Sequence, residues 1–353
     1  MALRPLICTL TTISLFSQTP DSPLTKSHYG YISADFIYWV ANQQGNDYAV
    51  TGAAITVPGT VDPNTDLIPS TLTQSGSVYS PNFKIKPGFK VAIGLDVMQT
   101  RWNLFAEYTY LYSKASSSVF NDNINTGILP LYNHSPNNSI LSTTISAINS
   151  GATGYVSQAD SLWRLNFNNL SLELEKKFAI LNNFFAKPHF GFQGSLQKQH
   201  FSVLYKVSSL ETPTTILGTN SVNFKQTYWG FGPRVGLDGT WQCLNHFALF
   251  SNSGFSLLWS QFNGEGTSHD TNTPLGYSNL LISSINRKIN TLIPVMQLSV
   301  GAQTNWISKD NFYFLLEASW EGQVWFNQNQ RSTSISDISL FLQGLTLSAK
   351  LGY

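Results

Sequence analysis

Charge is what this chain is short of. Of its 353 residues only 11% are Asp, Glu, Lys or Arg, against roughly 25% in soluble domains. The net charge of +1 offers neither the basic patch that nucleic acid needs nor an acidic tail. A long hydrophobic run is missing too. No segment reaches the roughly 18–20 apolar residues of a membrane helix, so a chain that crosses a bilayer must do so as strands. Cysteine is nearly absent, with Cys8 and Cys243 alone. Cys8 lies in the N-terminal segment, and its removal would leave Cys243 without an intramolecular partner. That rules out a disulfide framework and a zinc cluster, and no metal or cofactor is expected.

What fills the space is aromatic and neutral-polar. Aromatic residues make up 13% of the chain and total hydrophobic content is an ordinary 42%. Ser, Thr, Asn and Gln replace the missing charge. An outer-membrane barrel has this balance, with an apolar lipid face and a neutral-polar lumen and loops. A secreted all-β protein shares it, and would be recovered without detergent. The start, "MALRPLICTLTTISLFSQTP", has Arg4, an apolar core from Leu6 to Phe16 and then small polar residues. It reads as an export signal over residues 1–19, followed by one barrel domain over 29–353.

The stretch "RWNLFAEYTYLY" (101–112) sorts by alternate residues. Trp102, Leu104, Ala106, Tyr108, Tyr110 and Tyr112 form one face. Asn103, Phe105, Glu107, Thr109 and Leu111 form the other. Period two is the signature of a strand, and helical spacing would set Glu107 beside Leu104 and Leu111. The pattern recurs in "YISADFIYWV", "GFKVAIGLDV", "LSLELEKKF", "PHFGFQGSLQ", "WGFGPRVGLDG", "FALFSNSGFSLLW", "QLSVGAQTNW", "FYFLLEASWE" and "LTLSAKLGY". These are about ten strands of the roughly 9–11 residues that a tilted membrane strand needs. Hairpins hidden in Tyr48–Val57 or in Lys114–Ser161 would raise the count to twelve. Connections alternate between short ones, such as Gly239–Asn245, and long ones, such as Lys206–Ser221 and Phe262–Asn290. The expected fold is an all-β transmembrane antiparallel barrel with short periplasmic turns and long extracellular loops. Pro188, Pro233 and Pro294 fall inside strands, where each removes a ladder donor and invites a bulge.

Tryptophans give an independent check. Trp102, Trp241 and Trp306 fall outward beside short turns, and Trp163 and Trp259 outward beside long loops, as two interfacial girdles would. Trp39 and Trp325 fall in the inward phase. The same phase gathers charge: Asp35, Lys90, Asp96, Glu107, Glu173, Glu175, Lys177, Lys187, Arg234, Asp238, Glu317, Glu321 and Lys350. Facing lipid at mid-depth, each would cost roughly 2–4 kcal/mol. Facing an enclosed interior, they become candidate pore-lining groups or braces that pair with one another. Inward glycines (Gly94, Gly191, Gly232, Gly236, Gly301) leave room for such side chains.

Catalysis finds little support. His189 alone among the histidines lies mid-strand on the inward face. Ser195, six residues along the strand, is roughly 20 Å away, far beyond the ~3 Å of a nucleophile and its base, and no nucleophile-elbow motif is present.

In order and spacing, "SADFIYW" with "DYAVTG", "RWNLFAEYTYLYS", "GFGPRVGLDGTW", "FALFSNSGFSLLWSQF", "LIPVMQLSVGAQTNW" and "LFLQGLTLSAKLGY" resemble the Legionella-type major outer membrane proteins, a family also found in bacteria related to chlamydiae. The resemblance covers most of the chain outside the long loops. It implies a pore-forming outer-membrane barrel and supplies no catalytic residues, and the mixed signs of the inward charges point to passive, weakly selective diffusion of small solutes or ions, or to a salt-bridged plug. The scarcity of cysteine departs from family members that are cross-linked. The final strand, ending at Tyr353, resembles the aromatic signal read by the barrel-assembly machinery. Implied partners are outer-membrane lipid and lipopolysaccharide, small solutes and further copies of the chain, but no nucleic acid. The alternative is a surface-exposed structural or adhesin barrel whose long loops carry the function. Around ten strands leave a narrow passage at best.

Overall fold

The computed structural model describes residues 30–54, 76–97, 102–121, 126–132, 154–209, 212, 214–272, 277–307, 312–330 and 339–352. The expected signal segment (1–19) and Tyr353 lie outside them. In chain order the strands are β1 (Gly30–Gln43), β2 (Ala49–Ala54), β3 (Val78–Tyr79), β4 (Lys86–Val97), β5 (Trp102–Phe120), β6 (Thr126–Pro130) and β7 (Gly154–Lys176). There follow β8 (Phe178–Leu181), β9 (Phe184–Ser209), β10 (Ile216–Leu244), β11 (Phe247–Asn272), β12 (Tyr277–Ile307), β13 (Tyr313–Trp325) and β14 (Leu340–Gly352).

Ten of these close a ring, β1-β4-β5-β7-β9-β10-β11-β12-β13-β14, in which β14 returns to pair with β1. Every neighbouring pair is antiparallel. Closure matters because lipid offers no partner to an open edge. β8 only extends the short β7–β9 turn. The segments that could have supplied two further wall strands do form strands, but they make a separate sheet in which β2 pairs with β6 on one side and β3 on the other.

Alternation sorts the side chains as period two requires. Ile32, Phe36, Phe89, Val91, Ile93, Leu172, Phe190, Phe192, Phe231, Val235, Leu298, Val300 and Trp320 are all exposed. An exposed apolar belt of this extent fits only against acyl chains. Along β10 the belt runs from Trp241 to Trp229. Those thirteen residues span about 40 Å of strand, or roughly 28 Å of height once tilted, close to the ~25 Å apolar band of such barrels.

Several expectations need correction. Trp163 is fully buried and belongs to no girdle. β7 runs unbroken from Gly154 to Lys176, so its phase carries Trp163 to the same side as Glu173. Lys177 lies past the end of β7, exposed, its ammonium 4.2 Å from the Phe185 ring centre. Two supposed long loops are mostly strand: β11 and β12 pair from Phe247 as far as Asn272 opposite Tyr277, and β9 and β10 pair up to Ser208 opposite Ile216. The prolines need no bulge. Pro188 stays in register opposite Leu237 and Pro294 opposite Leu257. At Pro233 only the β10–β11 ladder is interrupted, between Phe231 and Arg234.

The ring is lopsided. β12 has 31 residues and β10 has 29, whereas β13 and β14 have 13 each. At ~3.3 Å per residue and a tilt near 45°, β12 rises about 70 Å, well beyond the lipid band. Strands β5, β7 and β9–β12 therefore continue as a wall outside the membrane.

Candidate functional site

Two layers fill the lumen. On the side of the short turns lies a chamber of about 110 Å³, room for a few waters at ~30 Å³ each. Its walls are mostly charged. Lys90 Nζ lies 2.8 Å from Glu321 and 3.5 Å from Glu107. Arg234 donates from Nε to Glu173 at 2.6 Å and from Nη2 to Gln297 at 2.9 Å. Gln297 donates in turn to Glu321 at 2.8 Å, which ties both ion pairs into one belt. Lys187 bridges Glu175 (2.7 Å) and Asp238 (3.1 Å). Lys350 pairs with Glu317 at 3.0 Å, and Ser348 donates to Asp35 at 2.6 Å. His189 sits between carboxylates, with Nδ1 against Glu173 and Nε2 3.4 Å from Asp238.

The sequence accounts for how these groups fit. Gly254 and Gly236 occupy inward positions, Gly254 beside Arg234 and Gly236 beside His189. A Cβ on Gly254 would stand 2.6 Å from Arg234 Nη2, and one on Gly236 would stand 2.3 Å from the His189 ring. Glycine there lets a long charged side chain lie flat across the neighbouring strand.

The structure thus gathers Asp35, Lys90, Glu107, Glu173, Glu175, Lys187, Arg234, Asp238, Glu317, Glu321 and Lys350 around one chamber. Asp96 also takes the inward phase but does not line it. Outside, Trp241, Trp259 and Trp306 are exposed and Trp102 half-exposed against Phe190.

Above the chamber the lumen turns aromatic. Trp39, Trp163 and Trp325 are each 0% exposed. Trp325 packs edge-on to Phe167, with ring centres 5.3 Å apart. Amides complete this layer. Trp325 Nε1 donates to Gln323, Trp163 Nε1 to Gln199, and Gln199 to Gln43. Gln328, from the segment between β13 and β14, reaches inward to donate to Gln197 at 2.7 Å. The small sheet caps the stack. Tyr205 of β9 donates to the Tyr48 carbonyl at 2.7 Å, and Tyr132 packs on Phe201 and Phe224. The aromatic layer went unassigned in the sequence, although the inward phase of Trp39 and Trp325 was the signal for it.

Chemically, both ring nitrogens of His189 already face carboxylates, so neither is turned toward a hydroxyl nucleophile. Residues of this geometry can hold water and mobile ions against fixed charge.

A closed ten-stranded ring with a lipid-facing apolar belt and a charged interior defines a bacterial outer-membrane β-barrel. The family model described as Legionella pneumophila major outer membrane protein precursor matches residues 22–351, and the chain belongs to that family. A search of curated protein sequences returns no match. Among solved structures, the outer membrane protease OmpT from Escherichia coli is 13% identical, with a TM-score of 0.39 over 94% of this chain and 99% of that one. The CymD monoaromatic hydrocarbon channel is 8% identical, with a TM-score of 0.30 over 93% and 89%. A Pseudomonas aeruginosa FadL homologue is 8% identical, with a TM-score of 0.26 over 92% and 89%.

Proposed function

We propose that the protein is a narrow porin-like barrel. It passes water and small ions through the charged chamber, and its aromatic layer keeps it closed to larger solutes. The observation that carries this reading is the charge-lined chamber that ends at the aromatic layer, where the Trp39 ring stands 5.1 Å from Lys90 Nζ. With ten strands the interior is filled by side chains, and wide aqueous channels belong to barrels of about sixteen. Seven carboxylates (Asp35, Glu107, Glu173, Glu175, Asp238, Glu317 and Glu321) line the chamber against four cations (Lys90, Lys187, Arg234 and Lys350) and His189. The excess of negative charge favours passage of cations over anions. On this reading the barrel carries out no chemistry.

The test is conductance in planar bilayers with purified, folded protein. Small, cation-biased steps are expected, and they should grow when Trp325→Ala opens the aromatic layer. Silence from both forms would sink the reading. A second reading, a surface barrel that binds through its exterior, draws on the wall of β5, β7 and β9–β12 outside the membrane. It predicts that shortening β9–β12 abolishes attachment to a surface while leaving conductance intact.

A further inference from the structure

The outer face of that wall carries an ordered set of cations. Lys114 on β5 lies directly opposite Arg164 on β7, Arg164 opposite His200 on β9, and His200 opposite Lys225 on β10. Strands stand ~4.8 Å apart, so the four side chains form one row about 14 Å long. One outward position nearer the membrane, Lys198 lies between Asn166 and Thr227, and Lys288 of β12 lies opposite Asn263. Lys114, Arg164, Lys198, Lys225 and Lys288 are exposed. Among the described residues the ion pairs are all in the lumen, and none involves these five cations. Glu265, opposite Lys225, is the acid nearest in register.

Lys114 opposite Arg164 sets two like charges across a ladder, which weakens it, and Glu265 answers Lys225 alone, so Lys114, Arg164 and Lys198 call for an anion from elsewhere. Its position indicates which one. Tyr112 precedes Lys114 on the outward face, and Leu196 precedes Lys198. Trp229 and Thr227 precede Lys225, and Leu170, Asn168 and Asn166 precede Arg164. The cations thus begin where the apolar belt ends. They are also confined to this side of the barrel: the outward faces of β1, β4, β13 and β14 carry no charged residue.

We propose that the row binds the phosphorylated headgroup of an outer-leaflet glycolipid, whose acyl chains lie against Leu170, Leu196 and Phe231. The proposal rests on placement in the outer membrane and not on conduction.

The test uses the full chain folded in zwitterionic micelles and titrated with diphosphoryl lipid A, its dephosphorylated form, or inorganic pyrophosphate. Binding is followed by the temperature at which the folded gel mobility is lost. Diphosphoryl lipid A should raise that temperature, and raising the salt should weaken its binding. The combined variant Arg164→Gln, Lys198→Gln, Lys225→Gln should bind on the order of 100-fold more weakly. Lys176→Gln, at the opposite rim, should bind like the native chain, and so should the charge-keeping pair Lys198→Arg and Lys225→Arg. Native affinity in the triple variant, equal binding of the dephosphorylated lipid, or salt-independent binding by the native chain would each overturn the proposal. Equal protection by pyrophosphate would show that the row takes free anions and not a lipid. Bilayer conductance should be the same in the triple variant, which separates this outcome from that of the pore reading.

Discussion

The two layers of the lumen are both full, but different forces hold them. Near the short turns, Lys90, Arg234 and Lys187 are fixed by carboxylates around a small polar cavity. Farther out, Trp39, Trp163, Trp325 and Phe167 are fixed by shape, with Gln199 and Gln323 accepting from the indole N–H groups of Trp163 and Trp325 and the Thr346 hydroxyl accepting from that of Trp39. The lower layer therefore tolerates a change of volume better than a change of charge, and the upper layer the reverse. Only the lower one offers an ion fixed charge in place of its hydration shell.

That contrast can be broken from either side. The largest loss is expected from Arg234→Met, which leaves buried Glu173 with His189 as its remaining charged partner. Removing one member of a buried pair costs about 3–5 kcal/mol, measured as urea unfolding in lipid vesicles. The double variant Arg234→Met, Glu173→Gln should recover most of the loss, and no recovery would mean that charge is not the governing factor below. Trp325→Ala should cost a comparable amount, about 3–5 kcal/mol, through the cavity it leaves. It should raise conductance where Arg234→Met does not, and a conductance rise in both would erase the distinction between the layers.

Two smaller effects sharpen the picture. Val235→Arg puts a charge on the lipid face beside the native, inward Arg234, and should cost roughly 2–4 kcal/mol at mid-depth. A neutral outcome would argue against the lipid-facing assignment. Tyr205→Phe removes two hydrogen bonds to the cap, one donated to the Tyr48 carbonyl and one accepted from the Tyr132 amide. The Tyr48 carbonyl still accepts from the Leu131 amide at 3.1 Å, so the loss should be about 1–2 kcal/mol. Faster hydrogen exchange at Tyr48 and Ala49 should accompany it.

The membrane-embedded part of the fold was legible because lipid enforces a strict alternation. Ile32 to Val40, Phe89 to Val97 and Leu345 to Leu351 could not be read any other way. Outside the lipid the outward face of a strand no longer has to be apolar, so the alternation loses its contrast. The sequence from Phe262 to Asn290 therefore resembled a loop although β11 and β12 pair through most of it. Trp163 was misplaced for the same reason: the lumen stays dry above the level where the outer face has turned polar, so its aromaticity no longer marks the membrane boundary. Apart from Lys177, the inward charges followed from phase alone. Their partners did not, because Lys90 meets Glu321 across 231 residues of chain and only the closed ring brings the two together.

That closure has a consequence for how the molecule is made. Gly352 lies opposite Tyr31, and the β1–β14 ladder continues to Leu340 opposite Gln43. The seam thus joins the first wall strand to be synthesised to the last. Until it zips, two rows of backbone N–H and C=O groups face hydrocarbon at a penalty of several kcal/mol per group. A nine-stranded intermediate has no resting place in the bilayer, and deleting β14 should yield aggregate instead of a smaller barrel.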